Sequence, residues 1–481
     1  MKRRVPALAI LAVALCGSYA LLDTYDLTPG ILTNAPKSHI AGNVRADRAL
    51  ADTSSTGAYP SDVTAPKASE VQQAIGQFVK DEATIGGAVS ALVLDGITGQ
   101  PIAAEAADVP RTPASVTKMA TATAALDILG ANTTLPTRAA LCGDTLYLIG
   151  GGDTMLAAGK GDPHAVNGHA GLADLAQKVA AALKQSRDQS AAASGKPAES
   201  SGTAQASVKA PTKVVVDSSL FAAPLYASQV VKDDFASSAM QARPLAVDQS
   251  RQGGGEYDYH ADPDLEALSL FAKDLADQGV KVSAAGRAQT PEGAVQLGRV
   301  ESATIRQIVA EMMTVSNNVS AETLGHLIAI AQKKPATFEG AGQATTDYLQ
   351  SIGCMRPGVE LHDSSGLSTT NKLTASAIGC LLQRAATCST KEGCNSDAFT
   401  QGLAIGGYTG TLANRYSGSL VGNVRGKTGT LPQSAGLSGF VTTARGYPLM
   451  FVAMADGFRR GSGWAAHRGI DTFVTSLGTL K

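Results

Sequence analysis

The chain has 481 residues, beyond the roughly 250 to 300 at which single cores stop growing, so two or more domains are expected. Its 40 Lys+Arg nearly balance 41 Asp+Glu, and aromatics make up 5% with a single tryptophan. No global field draws in nucleic acid and no base-stacking surface is available, so a nucleic-acid partner is excluded.

The chain starts MKRRVPALAILAVALCGSYALLD, with Lys2, Arg3 and Arg4 ahead of an uncharged run from Val5 to Leu22. This is an export signal. Its apolar run is longer than most cleavable peptides have and close to the about 20 residues of a spanning helix. Residues 1–23 therefore read as an uncleaved membrane anchor, with a cleaved signal sequence as the alternative. Ser18-Tyr19-Ala20 is a weak cleavage site, and bulky Leu15 before Cys16 argues against lipidation. Either way the basic flank stays cytoplasmic and the rest reaches the cell envelope, on the extracytoplasmic face of the membrane or in the periplasm. Residues 24–66, rich in Thr, Ser, Ala, Pro and Asp without period, read as a linker. Five of the six cysteines, Cys142, Cys354, Cys380, Cys388 and Cys394, lie in the exported part. An odd number leaves at least one unpaired, and the cluster Cys380, Cys388, Cys394 suggests a local bridge.

From Gly86, two apolar runs around a Gly-containing turn predict a hairpin. In PASVTKMATA and beyond, Met119, Ala122, Leu126 and Leu129 share one helical face, and Gly130 supplies the stop. Residues 139–158 read as short strands and Gly turns, followed by a helix from about Leu172 to Leu183. The stretch 184–210 holds almost no branched apolar residue and reads as a disordered loop, at about 184–212, inside a domain. KVVVDSSLF predicts a strand, and ADPDLEALSLFAKDLADQGVKVSAAG a helix and then a strand. After residue 300, Ile305, Ile308, Val309 and Met312 mark one helix and Leu324, Leu327, Ile328 and Ala331 another, with Ser316-Asn317-Asn318 at the break. The C-terminal part is strand-rich and closes with a helix from about Trp464. Strands and helices segregate toward the chain ends, which predicts an α+β fold, an antiparallel sheet covered by helices.

Three short constellations can carry chemistry. Ser115 and Lys118 stand at i and i+3 at the start of a helix, the spacing that lets an amine activate a hydroxyl, although a capping serine with a solvated lysine fits the same pattern. Ser316-Asn317-Asn318 sits between two helices, where a plain turn is the competing reading. Lys427-Thr428-Gly429-Thr430 opens a strand and could be a strand end with a solvated lysine. His164 and His169, five apart on a Gly-rich loop, match no metal-ligand spacing, and His362-Asp363 lacks the elbow of a Ser-His-Asp site. No metal or cofactor is expected.

In the order Ser-x-x-Lys, Ser-x-Asn, Lys-Thr-Gly, on an exported chain, the three resemble the penicillin-binding D-alanyl-D-alanine carboxypeptidases and endopeptidases of low molecular mass, class C, which carry a large insertion. LYLIGGGDTML, VVVDSSLF, SNNVSAETL, HDSSGLS and IGGYTGTLANRY extend the resemblance over most of residues 70–480. It implies a penicillin-binding, β-lactamase-like transpeptidase fold. Residues 67–139 and 300–481 would form the catalytic domain, and 140–299 an inserted domain. The wide gap between Ser115 and Ser316 is more than a compact class A β-lactamase accommodates. Ser115 would be the acylating nucleophile and Lys118 its neutral general base, with burial and the cation Lys427 lowering its pKa. Ser316 would relay a proton to the leaving amine, and Asn318 would hold the substrate amide. Lys427 and Thr428 would bind the terminal carboxylate within the substrate-binding run Thr428, Gly429, Thr430. The backbone N–H groups of Ser115 and Thr430 would form the oxyanion hole. The implied partners are peptidoglycan stem peptides and β-lactam inhibitors, and the membrane if the N-terminal segment stays uncleaved. Asn317 stands where the group more often has Asp, which would weaken any carboxylate hydrogen bond there. A β-lactamase and a catalytically silent wall-binding protein remain the alternatives.

Overall fold

A computed structural model describes residues 63–194, 210–253, 258–388 and 396–481. The expected anchor, and most of the expected linker, lie outside these residues. Among the described residues no helix is long and apolar enough to cross a membrane.

The first sheet has six strands in the order Ala404–Ile405, Val424–Leu431, Ser434–Thr442, Pro448–Asp456, Ala88–Asp95 and Pro101–Glu105, every neighbouring pair antiparallel. The last two are the hairpin expected from Gly86 onward. Ala88–Asp95 and Pro448–Asp456 are buried on both faces, so they read as apolar runs rather than as alternation. Period two then divides each strand between two cores. Leu92, Leu94, Met450, Val452 and Met454 face one, and Ala91, Val93, Leu449, Phe451, Ala453 and Ala455 the other.

The second of these cores is closed by the helices Ala68–Lys80 and Gly463–Gly478, joined by a Phe78–Phe473 stack at 5.3 Å. The first is closed by a group of helices that includes Lys118–Ala125, Ile305–Val315, Asn318–Ala331, Phe338–Ser351 and Ala375–Cys388. This is the antiparallel sheet covered by helices that chain order predicts. The candidate site residues lie where the helical group meets the Lys-Thr-Gly strand.

A second, five-stranded sheet comes from the middle of the chain, in the order Ser283–Arg287, Lys213–Asp217, Thr145–Ile149, Thr134–Cys142, Val295–Thr304. It is mixed. The first three strands are parallel, and two antiparallel pairings involve Thr134–Cys142. The helices Leu172–Ser194 and Pro263–Asp277 pack on it in one core, each lying in the crossover between two parallel strands. The first of these helices runs to Ser194 instead of ending near Leu183. Residues 184–194 therefore belong to a helix rather than to a disordered loop. The composition argument failed there because Ala, Gln, Lys and Arg are good helix formers even where they bury little. Residues 195–209 lie outside the described part.

Among the described residues the bridge is Cys354–Cys380, with Cα atoms 5.4 Å apart, so Cys380 pairs outside the cluster Cys380, Cys388, Cys394. It ties the turn after Phe338–Ser351 to the helix Ala375–Cys388. Folding brings Cys354 to Cys380 from 26 positions away, which sequence proximity does not reveal. Cys142 is free. Cys16, Cys394 and the side chain of Cys388 lie outside the description.

Candidate active site

Ser115 lies in a 3-10 turn, Ala114–Thr117, that runs straight into the helix Lys118–Ala125. With three residues per turn, side chains at i and i+3 eclipse. Lys118 Nζ accordingly donates to Ser115 Oγ at 2.9 Å. Two glycines let other elements close on this turn. A Cβ at Gly429 would stand 2.6 Å from the Pro113 carbonyl oxygen, and one at Gly366 only 1.9 Å from that of Ala114. The glycine of Lys-Thr-Gly is thus required by close packing of strand on turn. Ala114 is held at φ 47°, a left-handed conformation that costs an alanine about 1 kcal/mol or more and aims the next residue, Ser115, into the crevice.

Ser316 ends the helix Ile305–Val315 in the left-handed region at φ 63°, and Asn317 caps the next helix by accepting from the Ser320 N–H at 3.1 Å. The chain therefore reverses within one residue, and Ser316 and Asn318 both reach the crevice. Lys118 Nζ donates to Asn318 Oδ1 at 2.8 Å, and Asn318 Nδ2 donates to the Ser238 carbonyl at 3.2 Å. On the strand side, Lys427 Nζ donates to Ser316 Oγ at 2.8 Å and to the Thr428 carbonyl at 2.8 Å. The Thr428 hydroxyl donates to Thr411 Oγ1 at 2.8 Å. Thr430, exposed at the strand end, has its hydroxyl 3.3 Å from His467 Nε2.

Both lysines are fully buried. Burial pushes the Lys118 amine down to about 7, against the raising fields of Asp363 and Glu322. Burial, and then the neighbouring Lys118, push Lys427 well below the usual lysine range. The lysine–lysine repulsion expected to act on Lys118 is thus expressed on Lys427. Two carboxylates near Lys118 oppose its deprotonation, which the motif spacing did not reveal.

The five candidate side chains fall into two hydrogen-bonded groups, Ser115 with Lys118 and Asn318, and Ser316 with Lys427. The groups are close enough for Lys118 to act electrostatically on Lys427, and Thr428, Gly429 and Thr430 follow on the same strand. Several participants escaped the sequence reading. The Ser365 carbonyl accepts from Lys118 Nζ at 2.6 Å. A backbone acceptor has no residue-type signature, although the HDSSGLS stretch that supplies it stands out. Asp363 belongs to no Ser-His-Asp site. Its carboxylate accepts from the Gly366 and Ser368 N–H groups and from Asn371 Nδ2, at 2.8, 2.6 and 2.6 Å. Asn317 in place of Asp has a local reason, since its Nδ2 donates to both oxygens of Glu311 at 3.3 Å. Aspartate there would set two carboxylates against each other. His169 meets only the Ala165 carbonyl, and no metal-binding group occurs among the described residues.

A hydroxyl touching a buried amine, with a second buried amine on the adjoining strand, is an arrangement that suits serine acyl transfer. The chain matches the family described as D-Ala-D-Ala carboxypeptidase 3 (S13) over residues 71–252 and 246–477. It is 30% identical over 394 residues to a carboxypeptidase of Mycobacterium tuberculosis, covering 77% of this chain and 76% of the relative. A carboxypeptidase DacB of Mycolicibacterium smegmatis matches at 30% over 393 residues, with the same coverage of 77% and 76%. In fold it is similar to the crystal structure of penicillin-binding protein 4 of Haemophilus influenzae. That match has a TM-score of 0.65 at 19% identity, covering 85% of this chain and 99% of the other. The chain belongs to the D-Ala-D-Ala carboxypeptidase 3 (S13) family and is a serine-type D-Ala-D-Ala carboxypeptidase.

Proposed function

We propose that Ser115 is the acylated nucleophile and that it acts on the D-Ala-D-Ala end, or a D-configured cross-link, of a peptidoglycan stem peptide. The observation that carries this reading is the buried Lys118 amine, 2.9 Å from Ser115 Oγ and held near neutrality by burial. As Ser115 Oγ bonds to the scissile carbonyl carbon, its proton passes to neutral Lys118. Ser316, bonded to Lys427, relays the proton taken up by Lys118 to the leaving amine as the C–N bond breaks, so that Ser316 keeps its hydroxyl and Lys118 is neutral again. The Ser115 and Thr430 N–H groups hold the oxyanion. Lys427 and Thr428 bind the terminal carboxylate beside Gly429, and Asn318 orients the substrate amide. Water, deprotonated by the same amine, then cleaves the ester. A β-lactam would acylate Ser115 by the same steps and leave slowly.

The substrate class puts the catalytic part outside the cytoplasm, at the cell envelope, carried by the N-terminal basic and apolar segment as anchor or signal. Within the chain we assign the second sheet and its helices, residues 134–304, to an inserted domain. This range is slightly wider than the 140–299 that the resemblance implies, because the strands Thr134–Cys142 and Val295–Thr304 pair with each other.

Labelling with a fluorescent penicillin tests the reading. Stable label on the wild type and none on Ser115→Ala is expected, while label that persists in Ser115→Ala, or is absent from both, contradicts it. Rapid loss of the label would instead make the protein a β-lactamase. Products from defined muropeptides, free D-alanine against split cross-links, divide carboxypeptidase from endopeptidase action.

A further inference from the structure

We propose that Glu322 is a positioning residue for the Lys118 amine: it fixes the Ser364–Ser365 turn against the nucleophile helix and, as it ionises, adds a negative field at that amine. This rests on the catalytic reading above and adds a residue to it.

Glu322 lies four positions after Asn318 on the helix Asn318–Ala331, so the two side chains share a face. Its carboxylate accepts from the Ser365 N–H at 2.8 Å and from the Ser364 N–H at 3.1 and 3.3 Å. Both residues of that turn then grip the nucleophile helix. The Ser364 carbonyl accepts from Thr121 Oγ1 at 2.7 Å, and the Ser365 carbonyl from Lys118 Nζ at 2.6 Å. Asp363 works in parallel. It accepts from the Gly366 N–H, and that N–H shares a peptide plane with the Ser365 carbonyl, so its charge polarises the oxygen that Lys118 meets. One helix thus presents Asn318 directly to the amine and Glu322 to the turn behind it. Two of the contacts on Lys118, from Asn318 and Ser365, then depend on packed elements keeping register with the turn that carries Ser115.

Ionisable groups surround Glu322 on several sides. They are Lys118 on the nucleophile helix, Asp363 on the turn, Lys427 on the strand beyond Lys118, and His326 on its own helix, whose Nδ1 meets the Glu322 carbonyl at 2.7 Å. Burial and then the Asp363 charge push the Glu322 carboxyl up to about 8. Carboxylate and amine therefore titrate in the same range, and removing the acid lowers the pH at which Lys118 loses its proton.

The test is the second-order rate of Ser115 acylation by a chromogenic penicillin, from pH 5 to 9, on the full chain with wild type, Glu322→Gln and Glu322→Asp. Glu322→Gln is expected to lose about tenfold or more in plateau rate and to move the acid-limb midpoint down by about half a pH unit or more. Glu322→Asp keeps the charge and is expected to keep the wild-type midpoint at a reduced plateau. Wild-type behaviour of Glu322→Gln, or an even loss at every pH with the midpoint unmoved, overturns the proposal. Should Glu322→Gln not melt cooperatively, Glu322→Asp decides: a lowered plateau at the wild-type midpoint supports the proposal, and a wild-type plateau or a displaced midpoint overturns it. Absence of acylation in the wild type itself is a separate result that refutes the catalytic reading.

Discussion

Two buried charge clusters in this molecule are built in opposite ways. Beside the second sheet, fully buried Asp264 is surrounded by donors: Arg287 Nε and Nη2 at 2.8 and 2.7 Å, Ser218 Oγ at 2.6 Å and the Arg243 guanidinium at 3.6 Å. Despite burial, these partners hold its carboxyl below the usual range. In the crevice of the first sheet, fully buried Lys118 and Lys427 meet hydroxyls, an amide oxygen and carbonyls, and among the described residues neither has a carboxylate within salt-bridge distance. A buried charge with matched partners stabilises the fold around it, whereas a buried amine without one gives up its proton, which is what a general base requires.

Substitutions at the two clusters should therefore separate stability from activity. The largest effect is expected from Lys118→Met: a loss of about 1000-fold or more in Ser115 acylation, with thermal stability equal to the wild type or higher. Acylation kinetics and a melting curve on the same sample check this, and a strongly destabilised Lys118→Met would break the contrast. The mirror experiment is Asp264→Ala, which strands Arg243 and leaves Arg287 with Asp262 alone. It should cost about 3–5 kcal/mol in denaturant unfolding, with acylation per folded molecule unchanged.

A smaller effect concerns His326, fully buried with Nδ1 on the Glu322 carbonyl and its ring between Phe221 and Phe338. Burial lowers its pKa from 6.5 to about 4. The unfolded chain then binds the extra proton first as pH falls below 6.5, so stability should decline from there to about pH 4 and level off. His326→Leu should flatten that part of the stability–pH curve, read by denaturant midpoints. The smallest effect is expected from Asn317→Asp, which sets a carboxylate against Glu311, itself raised by burial. A loss of about three- to tenfold in acylation at neutral pH is expected, recovered largely in Asn317→Asp with Glu311→Gln.

Much of the first sheet and its helices was legible because period and burial agree there. Met119, Ala122 and Leu126 are buried on the face their spacing defines. Ser115, Lys118, Ser316, Asn318 and Lys427 stood out as types in order through the family resemblance, and the fold brings Lys118 to Ser115 and Asn318, and Lys427 to Ser316. What stayed hidden acts through the backbone or through pairing in space. The Ser365 carbonyl is invisible to residue type, and Glu322 reads as an ordinary helix surface glutamate until the turn folds onto it. The left-handed Ser316 and Ala114 carry no glycine to mark them. Cys354 finds Cys380 only once two helices pack, and the Ala- and Gln-rich run up to Ser194 extends a helix where composition alone suggested a loop.

The most direct test of the central claim, a Lys118 amine that loses its proton near neutral pH, is the wild-type pH profile of Ser115 acylation. An acid limb with a midpoint near 7 and a plateau above it is expected. A rate that keeps rising to about pH 10, as an ordinary lysine would impose, contradicts it.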